Sequence, residues 1–292
     1  MSRHFFRAHG LGNDYLVVGR DFGLPLNAAR AQRLCDRNRG VGSDGVLVAG
    51  LAPDGFDAAV RIFNPDGSEA EKSGNGVRIF AAWCFRTHDR TQPLRISTLG
   101  GPVTARFLET REHADWLRVS MGRVHFEMGA LPMVEPDGGP GSRFIARELV
   151  VGAEGVVATC LSVGNPHAVL LGAKCDDATL ARLGPLVEHH PQFPRRTNVQ
   201  LCEVIDRRRV RALIWERGAG PTLASGSSAC AVVAACVEAG TLDRDADIAV
   251  VMPGGTLLVR IDVRGELEQV GPVQAIADGE IDEALWGALG DA

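Results

Sequence analysis

Apolar residues along this chain fall mostly into short runs, several alternating with polar neighbours, as half-buried strands do. Such runs occupy residues 15–18, 45–48, 58–63, 103–107, 116–121, 199–204, 210–215 and 257–263. Helical spacing is rarer. It covers 28–37 after Asn27, a suitable N-cap, then about 75–87, about 227–239, 178–183 and 281–289. The run from 178 could extend to His189, but Pro185 interrupts it. The segment Ala231-Val232-Val233-Ala234-Ala235 is apolar on every side, as expected of a helix wrapped by sheet. Pro132, Pro136, Gly138, Gly139 and Pro140 cluster within 125–141, which predicts a linker there.

The pattern repeats. Ser73-Gly74-Asn75-Gly76 heads one apolar helical run and Ser225-Gly226-Ser227-Ser228 heads another, at an offset of 225 − 73 = 152 residues. Gly12-Asn13 and Gly164-Asn165 share that offset, and so do Ile62-Phe63 and Ile214-Trp215. Three landmarks in order at one spacing indicate an internal duplication into two similar domains rather than a many-unit array. Each half reads as a mostly antiparallel sheet around a central apolar helix.

Composition narrows the function classes. The 292 residues are 45% hydrophobic and 23% charged, those of an ordinary globular protein. A net charge of −5 argues against a general nucleic-acid or anionic-membrane surface. With Tyr15 the single tyrosine, an aromatic platform for single-stranded nucleic acid is not expected. The seven cysteines form no C-x-x-C pair, which fits reduced thiols in a cytoplasmic protein better than disulfides or a zinc site. No apolar run approaches the roughly 18 residues of a membrane span, and the first residues lack the apolar core of a signal peptide.

The two serine-headed helix starts carry the candidate chemistry. A glycine-rich turn leaves backbone N–H groups unpaired, and the helix dipole adds partial positive charge. Such an end suits a carboxylate or a developing enolate, and two of them suggest a site built from two facing halves. Serine is equally a preferred N-cap, so Ser73 and Ser225 also read as plain caps. Asn13, Asn64, Asn165 and Asn198 mark nearby strand ends, where asparagine often serves a turn. Glu216-Arg217, directly after an apolar strand, can bind the ammonium and carboxylate of an amino acid or simply end the strand in solvent. His9 and His167 adjoin the Gly-Asn motifs, and a structural, hydrogen-bonded role suits each better than that of general base.

Together these motifs resemble the diaminopimelate epimerases. The resemblance is carried by His9-Gly10-Leu11-Gly12-Asn13-Asp14, the stretch Arg37 to Gly45, Arg61-Ile62-Phe63-Asn64-Pro65-Asp66-Gly67-Ser68, Gly164-Asn165-Pro166-His167, Thr197-Asn198-Val199, Trp215-Glu216-Arg217-Gly218-Ala219-Gly220 and Gly271-Pro272. It implies an α/β fold of two pseudosymmetric halves, each a barrel-like sheet around a central helix. The halves would be 1–125, completed by about 275–292, and 126–274. It also implies an isomerase of amino-acid (lysine) biosynthesis, which inverts Cα of a small amino-acid substrate with neither pyridoxal phosphate nor metal. It leaves room for a homodimer. By the resemblance, Asn13, Asn64, Asn165, Asn198, Glu216 and Arg217 hold the substrate's distal amino-acid group. Gly74, Asn75, Gly226 and Ser227 hold the reacting carboxylate.

One departure bears on the chemistry. The family places a cysteine at each acid–base position, and this chain has Ser73 and Ser225 there. A thiol starts near a pKa of about 8.5 and a helix N-terminus lowers it. An alcohol starts several units higher and acts only with a partner base. Cys84, Cys230 and Cys236 lie deeper in the two helices, where packing is their expected role. Lys72, Ser227 and Ser228 also depart from the motif, which favours natural divergence over replacement of two cysteines by design. Three functions follow: an epimerase or racemase of the two-base kind, a dehydratase or lyase on a hydroxy amino acid needing one proton transfer, and an amino-acid-binding homologue without turnover.

Overall fold

The computed structural model describes residues 2–87, 92–134 and 139–291. The chain divides into two compact units, one of residues 1–119 with 271–292 and the other of 120–270.

The first unit contains β1 (His4–Gly10), β2 (Asn13–Val18), α1 (Ala28–Cys35), β3 (Val46–Gly50), β4 (Ala58–Phe63), β5 (Glu69–Ala70), α2 (Gly74–Thr87), β6 (Leu94–Thr98), β7 (Gly101–Arg111) and the start of β8 (Ala114–Arg123). The second contains β9 (Arg147–Val151), β10 (Glu154–Ser162), β11 (Pro166–Leu170), α3 (Asp177–Glu188), β12 (Asn198–Asp206), β13 (Arg209–Glu216), β14 (Gly220–Thr222), α4 (Gly226–Glu238), β15 (Ile248–Met252), β16 (Gly255–Ile261) and the start of β17 (Glu266–Glu280). The rest of β17 and α5 (Glu283–Gly290) belong to the first unit.

Strand pairing is the same in both. In the first unit β1–β2, β3–β4, β4–β5, β6–β7 and β7–β8 are antiparallel, while β2–β3 and β4–β6 are parallel. In the second, β10–β11, β12–β13, β13–β14, β15–β16 and β16–β17 are antiparallel, and β11–β12 and β13–β15 are parallel. The central helices begin at Gly74 and Gly226, and 226 − 74 = 152. Gly12 and Gly164, at the same offset, both hold a left-handed backbone (φ 89° and 100°), a conformation that favours glycine.

Each central helix is buried on most faces, α2 from Gly74 to Ala82 and α4 over nearly its full length. The helix α2 packs on β1, β2, β4 and β7, and α4 on β10 to β13, β15 and β16. The apolar pattern of the sequence therefore has its cause in a helix enclosed by its own sheet.

Three expectations are corrected. The helix α3 runs through Pro185 without a break. Pro185 lies in its last turn, and buried Leu180, Leu183 and Val187 anchor the helix on both sides of it. Asp176 caps its start, accepting from the Thr179 N–H at 2.8 Å. The last helix begins at Glu283, two residues later than expected, because Asp282 accepts the Ala284 N–H and sets the start. The segment expected as a linker is not one where it is described. Within it Met128, Leu131 and Met133 are buried in the core of the second unit. Residues 135–138, with Pro136 and Gly138, lie outside the described residues. The chain passes between units inside two strands, β8 and β17. Asn27, in contrast, caps α1 as expected, accepting from Arg30 N–H at 2.8 Å.

Candidate active site

In the first unit the start of α2 is fixed by Ser73. Its carbonyl accepts the Val77 N–H and its Oγ accepts the Gly76 N–H at 3.0 Å, so Ser73 is a true N-cap. The Tyr15 hydroxyl, from the middle of β2, lies 3.1 Å from the same Oγ. Tyr15 is buried, and its ring fills the space beside Gly45, where a Cβ would come within 2.5 Å of Cε1.

Beside Ser73 runs a polar chain. Arg78, fully buried, donates from Nη2 to Asn75 Oδ1 at 2.7 Å and from Nε to the Pro272 carbonyl at 3.3 Å. Asn75 Nδ2 donates to Asn13 Oδ1 at 3.3 Å, and Asn13 Nδ2 donates to Asp44 Oδ2 at 3.0 Å. Arg37 bridges Asp44 and Asp14, and Arg7 holds Asp14 from its other oxygen. Burial alone pushes the Asp14 carboxyl up, but hydrogen bonds from Arg37 and Arg7 outweigh it, and the net shift is downward. Gly10 leaves room for this guanidinium, since a Cβ there would stand 2.6 Å from Arg78 Nη2. Asn64 is apart from this chain. It forms a turn, donating from Nδ2 to Ser68 Oγ at 2.9 Å.

The second unit builds its helix start differently. Ser225 occupies the N-cap position of α4, yet its side chain makes no cap bond. Among the described residues its Oγ has one side-chain partner, Ser227 Oγ at 3.4 Å. Ser228, one residue on, is fully buried and accepts from Gln200 Nε2 at 3.1 Å. Gln200 Nε2 also donates to His167 Nδ1 at 3.0 Å, and His167 Nε2 donates to Asn165 Oδ1 at 2.8 Å. Burial pushes the His167 imidazole down to about 3, so the ring is neutral at physiological pH and ties Asn165 to α4. Gln269, fully buried, packs on Gly226, where a Cβ would meet its Oε1 at 2.5 Å.

Asn198 uses both ends of its amide, donating to the Pro166 carbonyl at 2.9 Å and accepting the Arg217 N–H at 3.0 Å. The loop Glu216-Arg217-Gly218 is held from below by Glu188. This buried carboxylate accepts Trp215 Nε1 at 2.7 Å and the Gly218 N–H at 2.8 Å. Arg217 Nη1 donates to the Arg195 carbonyl at 3.4 Å.

The structure thus gathers Ser73, Asn75 and Asn13 in one cluster, Asn165 with α4 in another, and Asn198 with Arg217 in a third. Sequence reasoning gave no role to Tyr15, Arg78, Asp44, Gln200, Gln269 or Glu188. Arg78 was the accessible signal: one charge inside an apolar helical run needs a buried partner. A cavity of about 660 Å³, lined among others by Cys175, Cys202, Cys236 and Thr241, sits at the C-terminal end of α4, away from Ser225. Among the described residues no group of His, Cys, Asp and Glu could hold a metal ion, and no helix is long and apolar enough to cross a membrane.

A protein-family model described as diaminopimelate epimerase matches residues 5–127 and 159–276. The chain belongs to the diaminopimelate epimerase family. It is 40% identical over 286 residues to a protein named diaminopimelate epimerase 2 from Nostoc sp., covering 97% of this chain and 96% of that protein. It is 41% identical over 282 residues to the diaminopimelate epimerase of Desulforudis audaxviator, covering 94% and 98%. Among solved structures, a predicted epimerase from Pseudomonas aeruginosa superposes with a TM-score of 0.70 over 96% of this chain and 99% of that one, at 19% identity. That likeness extends the fold assignment well beyond sequence similarity. The function of this family member is accordingly epimerase-like, and both helix starts fall inside the matched segments.

Proposed function

We propose that this chain binds an amino acid of the diaminopimelate type and exchanges and inverts the proton on one Cα without a cofactor. Ser73 and Ser225 occupy the two acid–base positions. The N–H groups at the starts of α2 and α4, with Asn75 and Ser227, take the reacting carboxylate, and Asn13, Asn64, Asn165, Asn198, Glu216 and Arg217 take the distal amino-acid group. The observation that carries this reading is the family match across both halves of the chain, with both serine-headed helix starts inside it. Helix N-termini stabilise the charge that develops on the carboxylate when Cα loses its proton.

The test is incubation with LL- or meso-diaminopimelate in D2O. Deuterium at Cα with interconversion of the isomers on a chiral column is the expected result. Absence of both exchange and calorimetric binding would sink the proposal. Replacing both serines, Ser73→Cys with Ser225→Cys, should raise the epimerisation rate by about 10²–10⁴-fold, the usual contribution of a matched acid–base group. If that variant stays as slow as the parent toward diaminopimelate, the substrate is another amino acid.

A second reading rests on Ser225, whose Oγ has, among the described residues, another alcohol as its one side-chain hydrogen-bond partner. An alcohol without a partner base is a poor acid–base group. This favours binding without inversion, and it would show as calorimetric binding with no change in the isomer ratio.

A further inference from the structure

If the proposed function holds, Ser73 needs an ionisable partner, and the structure has one. We infer that Tyr15 is the proton-relay partner of Ser73, so that proton exchange at the start of α2 runs through a phenol–alcohol pair.

The argument begins with the capacity of a hydroxyl, which donates once and accepts twice. Ser73 Oγ accepts the Gly76 N–H at 3.0 Å, and the Tyr15 hydroxyl approaches the same oxygen at 3.1 Å. With the phenol donating, both lone pairs of Oγ are taken and Ser73's own hydrogen is left to a third group. Ser73 is only partly buried, whereas Tyr15 is buried with its ring fixed beside Gly45. The alcohol is thus the outer member of the pair and the phenol the inner one.

The cycle starts from the ionised pair: the phenol's proton leaves to solvent water through the partly exposed Ser73, and Tyr15 is left as the phenolate that accepts the Ser73 hydrogen. In proton removal the Cα–H proton moves to Ser73 Oγ while the Ser73 hydroxyl proton moves to a Tyr15 phenolate. The C–H electron pair stays on the substrate as an enediolate of its carboxylate. In the return step the Tyr15 O–H refills Ser73 as Ser73 protonates Cα. A phenol has a pKa of about 10, which lies between that of an alcohol and that of a thiol. It supplies what Ser73 lacks by itself. Among the described residues the second unit has no equivalent, because His167 stands at the position matching Tyr15 (15 + 152 = 167) and bonds to Asn165 and Gln200 rather than to Ser225. Tyr15 does not touch the substrate in this scheme. It positions and recharges the group that does.

Three proteins decide the matter: the parent chain, Tyr15→Phe, and Tyr15→Phe with Ser73→Cys. Each is assayed for diaminopimelate binding by calorimetry and for Cα exchange in D2O by mass spectrometry. Tyr15→Phe should keep the binding constant and lose exchange by about 10²-fold or more. The added cysteine should restore exchange, since a thiol with a pKa of about 8.5 needs no phenol behind it. A purely structural tyrosine would not be rescued this way. Because Tyr15 is the single tyrosine, biosynthetic replacement of tyrosine by the more acidic 3-fluorotyrosine alters this site alone and should speed exchange at neutral pH. Exchange in Tyr15→Phe at the parent rate overturns the relay and leaves the proposed function standing. Failure of the cysteine to restore a lost rate also overturns it. No exchange in the parent overturns the proposed function and the relay together.

Discussion

Ser73 and Ser225 were legible as a pair, because residue type and spacing alone mark a helix start. Their inequality was not. The Ser73 side chain caps its helix and meets Tyr15, the Ser225 side chain does neither, and Tyr15 comes from a strand far away in the chain. His167 shows the same limit from the other side. Its place beside Gly-Asn was readable, but the Gln200 that donates to its Nδ1, itself held by Ser228, meets it only after folding. Its ordinary value of 6.5 falls to about 3 on burial. The sign follows directly: the stability it contributes is complete above its unfolded value and is lost as pH falls toward the folded one. Nitrogen NMR of the imidazoles should therefore show His167 neutral, with the proton on Nε2, at about pH 5, where an ordinary histidine is charged. A protonated His167 in the folded protein at that pH would contradict the assignment.

At the scale of elements, the apolar runs located β2, β3, β4, β12 and β13, while β1, β10 and β15 went unmarked despite several large apolar residues. The strand β4 falls on its expected residues. The strands β5 and β14, of two and three residues, carry too little pattern to register. The outer half of β17 is largely exposed and so lacks alternation. Pro185 misled because a proline signals a lost hydrogen bond of about 3 kcal/mol or more in a helix interior, while its position in the last turn and the apolar face around it lower the penalty. The capping asymmetry gives a stability prediction. Ser73→Ala removes an N-cap bond and should cost about 1 kcal/mol in urea unfolding. Ser225→Ala removes none and should cost clearly less. Equal losses would mean that the two caps are alike in solution.

For the whole molecule, the duplication was visible at one offset, and the fold repeats it pairing by pairing. The route of the chain was not visible. Proline and glycine mark irregular backbone rather than exposure, and Met128, Leu131 and Met133 of that segment fill a core. The crossing points lie inside β8 and β17, which read as ordinary strands. One consequence is that residues 1–119 are incomplete by themselves. The strand β1 pairs with β17 from His4↔Glu280 to His9↔Gln274, and Ile281 and Leu289 fill the core beside Leu16, Leu34 and Val46. A fragment of 1–119 should show little cooperative thermal unfolding, and adding a peptide of 271–292 should restore it. Cooperative melting of 1–119 without the peptide would refute this.

The cysteines carry one last implication. All seven are buried and unbridged, and none stands at the start of α2 or α4. A thiolate poised for acid–base work is also a target for peroxide and alkylating reagents. An alcohol at the same place is inert to both. Under the proposed function, turnover at the two helix starts should therefore persist in an oxidising medium that would silence a pair of thiols.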